Sequence, residues 1–146
     1  MFIDELLSSG AIPSLETTFR FAGERQKLIN HNIANLETPN FRPLDVSTDG
    51  FQRALGKAIQ KRRESSGGMF GALELEDTRE IRSDAAGALT LTPRTGSGNI
   101  LFHDRNNSDE IRLMQANAEN ATVYRVASEL LRGRYQQLKD AIAERV

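Results

Sequence analysis

The sequence predicts a mainly α-helical chain in which two long terminal helices form a coiled-coil or helical-bundle unit. Between them lies a variable middle segment with a short helix and either a small β element or a loop. Three observations carry this expectation. Apolar residues recur at alternating spacings of four and three between Pro13 and Pro39. The same alternation returns, longer and without proline, from about residue 108 to the end. The stretch between the two holds most of the chain's 11 glycines. All 146 residues are expected to form a single unit, divided as 14–36, 37–107 and 108–146.

Pro13-Ser14 marks the start of the first helix, with Ser14 as its N-cap, and the ring of Pro39 restricts Thr38 and stops propagation. The helix is therefore expected over about Ser14–Leu36. Within it, Leu15, Phe19, Ala22, Gln26, Ile29, Ile33 and Leu36 follow the a/d spacing of a coiled-coil seam. Gln26 alone is polar. It is either solvated, the plainer reading, or it fixes register by meeting a polar partner.

The middle has weaker patterns. Phe51, Leu55, Ala58 and Ile59 fall at helical spacing, which predicts a short helix from after Asp49 to about Arg63, broken by Ser65-Ser66-Gly67-Gly68. Ala72-Leu73-Glu74-Leu75-Glu76 and Ala88-Leu89-Thr90-Leu91-Thr92 alternate as half-buried strands do, and Thr95-Gly96-Ser97-Gly98 follows as a turn. Much of residues 40–107 is expected to be mobile in an unassembled subunit.

In the last segment the alternation runs through Met114, Asn117, Ala121, Tyr124, Ser128, Leu131, Tyr135, Leu138 and Ile142, with Ile111, Ala118, Ala127 and Leu130 widening the stripe. Six basic and six acidic residues are interspersed between Asp109 and Val146, the pattern of a solvated amphipathic helix rather than a membrane-binding one. Such a helix is about 57 Å long, against roughly 35 Å for the first helix and a diameter of about 38 Å for a compact chain of this size. Part of its seam must remain uncovered within the chain. Burying a Leu or Ile is worth about 1.5–3 kcal/mol, so Leu131, Leu138 and Ile142 favour association with another chain.

Composition excludes several functions. Only 38% of residues are hydrophobic, and 19 basic residues balance 20 acidic ones to a net charge of −1, which favours neither nucleic acid nor an anionic membrane. Cysteine is absent, so disulfides and thiolate metal sites are ruled out. No apolar run approaches the roughly 18 residues of a membrane span. Met1-Phe2-Ile3-Asp4-Glu5-Leu6-Leu7 lacks the features of a secretory signal, so any export is expected without a cleavable signal peptide.

Motifs for nucleotide binding, zinc hydrolysis and serine hydrolysis are missing. His31 and His103 have no ligand-type neighbours at i,i+4 spacing, and His31 is expected to be exposed. Lys61-Arg62-Arg63 reads as a solvated helix end rather than a phosphate site, and Asp45 and Asp49 lack an apolar pocket that would raise a carboxyl pKa. The expectation is a non-enzymatic chain with no cofactor, no metal and no small-molecule substrate.

One segment carries a family resemblance. Asn32-Ile33-Ala34-Asn35-Leu36-Glu37-Thr38-Pro39-Asn40-Phe41 resembles the Asn-Ile-Ala-Asn-x-x-Thr-Pro-x-Tyr/Phe signature of flagellar rod, hook and hook-associated axial proteins. Physically it is a helix terminus: Asn35 can cap carbonyls, Pro39 forbids continuation and Phe41 can fold back as an apolar anchor. His103–Asp109, Asn117–Tyr124 and Leu138–Ile142 are similar to the C-terminal pattern of one of the two proximal rod protein families, Asp-Gly-Asn-Asn-Val-Asp, Glu-Asn-Ala-x-x-Tyr and Leu-x-x-Ala-Ile. Arg105 stands where that pattern has glycine, and Ser108 where it has valine. The resemblance spans roughly residues 14–60 and 103–146.

The resemblance implies a structural subunit of the bacterial flagellar basal-body rod, exported by the flagellar type III system and polymerised in the periplasm through its terminal helices. The implied partners are copies of itself, sibling rod proteins, the adaptor joining rod to membrane ring, and the export gate. Exported subunits of this class use a Phe-x-x-x-aliphatic element at the gate. Phe2 with Leu6 fits it, as does Phe51 with Leu55, although amphipathic helices also produce the pattern by chance. Two other readings stand against this one: a soluble helical adaptor or export chaperone that binds one client through the same seam, and a small hydrolase. A polymer subunit is monomeric and partly disordered when free. A chaperone is a stable oligomer with ordered helices, so circular dichroism with light scattering separates the two.

Overall fold

The computed structural model describes residues 9–39, 41–84, 87–95 and 105–143, with side chains from residue 110 onward in the last stretch. Its elements run α1 (Ile12–Ala34), β1 (Leu44–Asp45), α2 (Thr48–Ser66), β2 (Ile81–Ser83), β3 (Leu89–Leu91), β4 (Arg94–Thr95) and α3 (Arg105–Ala143). Mostly helical, with small strands in the middle and the two long terminal helices packed together, the chain has the architecture its patterning predicts.

Helix α1 starts two residues before the expected Ser14, and Ser14 is not its cap. Pro13 sits in the first turn, where its missing N–H costs nothing, and Ala11 at the N-cap offers no side-chain acceptor. The Ser14 hydroxyl donates back to the Ala11 carbonyl at 2.8 Å, and Thr17 and Thr18 do the same to Pro13 and Ser14. Just upstream, Gly10 takes a left-handed φ of 57°. Its N–H donates to the Met69 carbonyl at 3.0 Å and its carbonyl accepts from Arg62 Nη1 at 2.7 Å, so the entry to α1 is clasped to the end of α2. Arg62 is therefore buried, not part of a solvated helix end. Lys61 next to it does lie at the surface, hydrogen-bonded to Glu74, which raises the lysine pKa and lowers that of the carboxylate.

Helix α2 has a cap at each end. Ser47 Oγ accepts from Gly50 N–H at 2.9 Å, and the chain leaves the helix through Gly67 in the left-handed region. Its apolar face packs onto α1. Phe51 stacks flat on Phe21 with ring centroids 3.8 Å apart, and Val46, Ile81 and Leu89 complete a buried cluster flanked by Leu28, Leu55, Leu75 and Leu91.

The strands form two antiparallel pairs, β1 with β4 and β2 with β3. In the second pair Ile81 lies opposite Leu91 and Ser83 opposite Leu89. The expected strand at 88–92 is thus β3, but its partner is β2, and residues 72–76 form no strand. There Leu75 leans on the core while Glu74 reaches out to Lys61, so one-sided burial yields a strand-like alternation without a ladder.

Candidate assembly interface

Helices α1 and α3 pack antiparallel, as their cross-contacts show. Tyr135 donates to Glu16 near the start of α1, Phe19 stacks on Tyr124 at 4.6 Å, and Gln26 meets Asn117 and Asn120 farther along. Tyr124 also lies over Gly23, where an added Cβ would stand 3.6 Å from the ring. At about 1.5 Å per residue, α3 is some 24 Å longer than α1, so a substantial part of it has no intrachain helix beside it.

The centre of this seam is polar. Gln26 Nε2 donates to Asn117 Oδ1 at 2.7 Å and to Asn30 Oδ1 at 3.0 Å, while Gln26 Oε1 accepts from Asn120 Nδ2 at 2.8 Å. The second N–H of that Asn120 amide goes to the Ala22 carbonyl at 2.9 Å. Gln26 is thus not merely solvated: it has the polar partners that would specify register. A one-residue slip would leave these amides unpaired in a partly dry interface, at about 1–3 kcal/mol for each lost partner.

The seam residues read from the sequence separate into groups. On α1, Ile29 is buried and Leu15, Phe19 and Ile33 are half-buried. On α3, Leu131 and Leu138 are half-buried, Tyr124 and Tyr135 remain 40% and 37% exposed, and Met114, Ala121 and Ile142 face outward. The residues of α3 that bury themselves are Leu113, Asn120 and Ala127, each one position before Met114, Ala121 and Ser128. Met114, Ala121 and Ser128 are therefore each displaced from the intrachain stripe by one residue, whereas Tyr135 keeps its place against Glu16. Alternating four-three spacing started from Leu113 or from Met114 fits the sequence equally, and only Asn120 opposite Gln26 decides between them.

A second stripe of α1 points the other way. Phe21 and Leu28 enter the core, Arg25 makes a bidentate pair with Asp45 through contacts of 3.0 and 2.9 Å, and Asn32 is buried. Asn32 grips the backbone of β1 at both groups, donating to the Leu44 carbonyl at 2.6 Å and accepting from Leu44 N–H at 2.9 Å. Asn35 ends the helix by donating to the His31 carbonyl at 2.8 Å. After Thr38 and Pro39 reverse the chain, Phe41 returns edge-to-face onto His31 with centroids 5.6 Å apart. In that segment Ile33 is half-buried and Ala34 exposed. The roles of Arg25 and Asn32 were not legible because polar residues on an amphipathic helix read as solvated. Phe2, Leu6 and His103 lie outside the described residues.

No family model matches the chain. No solved structure matches it either. A curated protein does: the flagellar basal body rod protein FlgB of Bacillus subtilis strain 168 is 30% identical over 136 residues, 93% of this chain and 95% of that protein. The chain belongs to the FlgB family of flagellar basal-body rod proteins. For a FlgB-family chain, the Asn32–Phe41 segment acquires a physical reading: its first asparagine ties α1 to the middle segment, its second closes the helix, and its aromatic residue packs the return. Among the described residues no group of three His, Asp or Glu side chains is placed to hold a metal ion, and no helix is long and apolar enough to cross a membrane.

Proposed function

We propose that this chain is a non-catalytic building block of the flagellar rod, which joins its neighbours through the apolar positions of α1 and α3. The observation that carries the reading is α3 itself: a helix about 24 Å longer than its intrachain partner that keeps Ile111, Met114, Val123, Val126, Leu130 and Ile142 between 45% and 64% exposed, in a member of the FlgB family. In this reading the neighbours are copies of the chain, sibling rod proteins and the adaptor to the membrane ring. The subunit crosses the inner membrane through the flagellar type III gate and assembles in the periplasm, with Phe2 and Leu6 as its gate element.

Substituting Leu138→Asp or Ile142→Asp tests the assembly step. Purified basal bodies should lose the subunit and cells should lose motility, while export continues; normal motility with either variant would overturn the role of α3. Deleting Met1–Leu7 should lower the exported amount more than the amount in the cytoplasm. Unchanged export after that deletion places the gate element elsewhere.

A further inference from the structure

Helix α3 carries a second apolar line that stays exposed. Val123, Val126 and Leu130 follow one another at spacings of three and four, rise about 10 Å along one side of the helix, and are 45%, 49% and 53% exposed. Glu119 continues the same line one turn earlier and is likewise exposed. On the other side of α3 lies an open groove of about 1000 Å³ between α1, α3 and β3. Its floor combines the Phe19–Tyr124 stack with the small residues Gly23 and Ala121, and exposed Arg125 and Arg132 stand on its rim, one heptad apart. Neither arginine makes an ion pair with a described residue.

Resting on the rod-subunit reading above, we propose that the Val123–Val126–Leu130 ridge of one copy seats in the α1–α3 groove of a second copy. The ridge supplies three exposed apolar side chains, and the small, exposed Ala121 lets a neighbouring helix approach closely. The carboxylate of Glu119 at the end of the ridge complements the groove's charge, because Arg20, Lys27, Arg125 and Arg132 outnumber Glu24 and Glu129 along it. Val126 and Ala121 are five residues apart, about 140° around the helix, so ridge and groove face different directions. A copy whose ridge is engaged still offers its groove. The contact is head-to-tail and propagates into an open helical array instead of closing as a symmetric pair.

The chain contains no cysteine, so a disulfide between two copies can form only through the introduced thiols. Val126→Cys and Ala121→Cys are made separately and together at exposed positions, and basal bodies from cells carrying them are oxidised. The expected result is a disulfide-linked dimer when the two single variants are co-expressed, at least tenfold more abundant than with either alone, and a ladder of higher multimers from the double variant. Self-linking of Val126→Cys alone, or a double variant that stops at the dimer, overturns the head-to-tail contact. Basal bodies that contain both variants without linkage overturn the choice of surfaces and leave the rod reading standing. Absence of the unsubstituted chain from basal bodies overturns the rod reading and the contact with it.

Discussion

Along α1, the stripe of Phe21, Arg25, Leu28 and Asn32 meets a closed core, whereas Phe19, Gly23 and Gln26 meet a second helix through stacked rings and amides that leave apolar surface in water. On the first side the polar side chains find their partners inside the chain. Phe21 lies flat on Phe51, Arg25 is paired with Asp45, and Asn32 saturates the backbone of Leu44. On the second side the register is specified but the burial is incomplete, with Tyr124 still 40% exposed in the middle of the seam. The difference teaches that one helix can serve as scaffold on one face and as a partly finished joint on the other.

Truncating the closed side should have the largest effect. Phe51→Ala removes one half of the ring stack and leaves a cavity among Val46, Ile81 and Leu89, and is expected to cost about 3–5 kcal/mol in urea unfolding. A loss below about 1 kcal/mol would mean that this core does not hold the fold. Asn32→Ala comes next, because it strands both the N–H and the carbonyl of Leu44. About 2–4 kcal/mol is expected, with early hydrogen exchange of β1 as the local signature.

Changes on the open side should be milder. Asn120→Ala leaves Gln26 Oε1 without a donor and removes the second bond to the Ala22 carbonyl, for about 1–2 kcal/mol, and a double-mutant cycle with Gln26→Ala should give a coupling of about 0.5–1.5 kcal/mol. Strict additivity would dismiss the polar register. The smallest effect concerns Tyr135, whose pKa is pushed up to about 12, first by donating its hydroxyl hydrogen bond to Glu16 and then by burial. Because the folded chain favours the neutral phenol, this contribution is complete below about pH 10 and is lost as pH rises towards 12. Solvent screening of so exposed a side chain holds it to about 1 kcal/mol. Tyr135→Phe should therefore be slightly less stable than the unsubstituted chain at neutral pH and equal to it above pH 12.

The sequence alone determined both terminal helices, the end of α1 in the Asn32–Phe41 segment (at Ala34, two residues before the expected Leu36), the glycine exit from α2 and the rod-protein resemblance. These depend on local stereochemistry and helical period, which neighbouring residues decide among themselves. Excess length of the last helix was likewise legible, since it needs only a residue count and the rise per residue. Tertiary structure decided which of two adjacent α3 stripes faces α1, because Leu113, Asn120 and Ala127 fit the spacing no better than Met114, Ala121 and Ser128 until Asn120 meets Gln26 from 94 positions away. Tertiary structure also assigned Arg25, Asn32 and Arg62 to the interior. A polar side chain can be buried only where its partner arrives, and Asp45, Leu44 and Gly10 arrive through the fold.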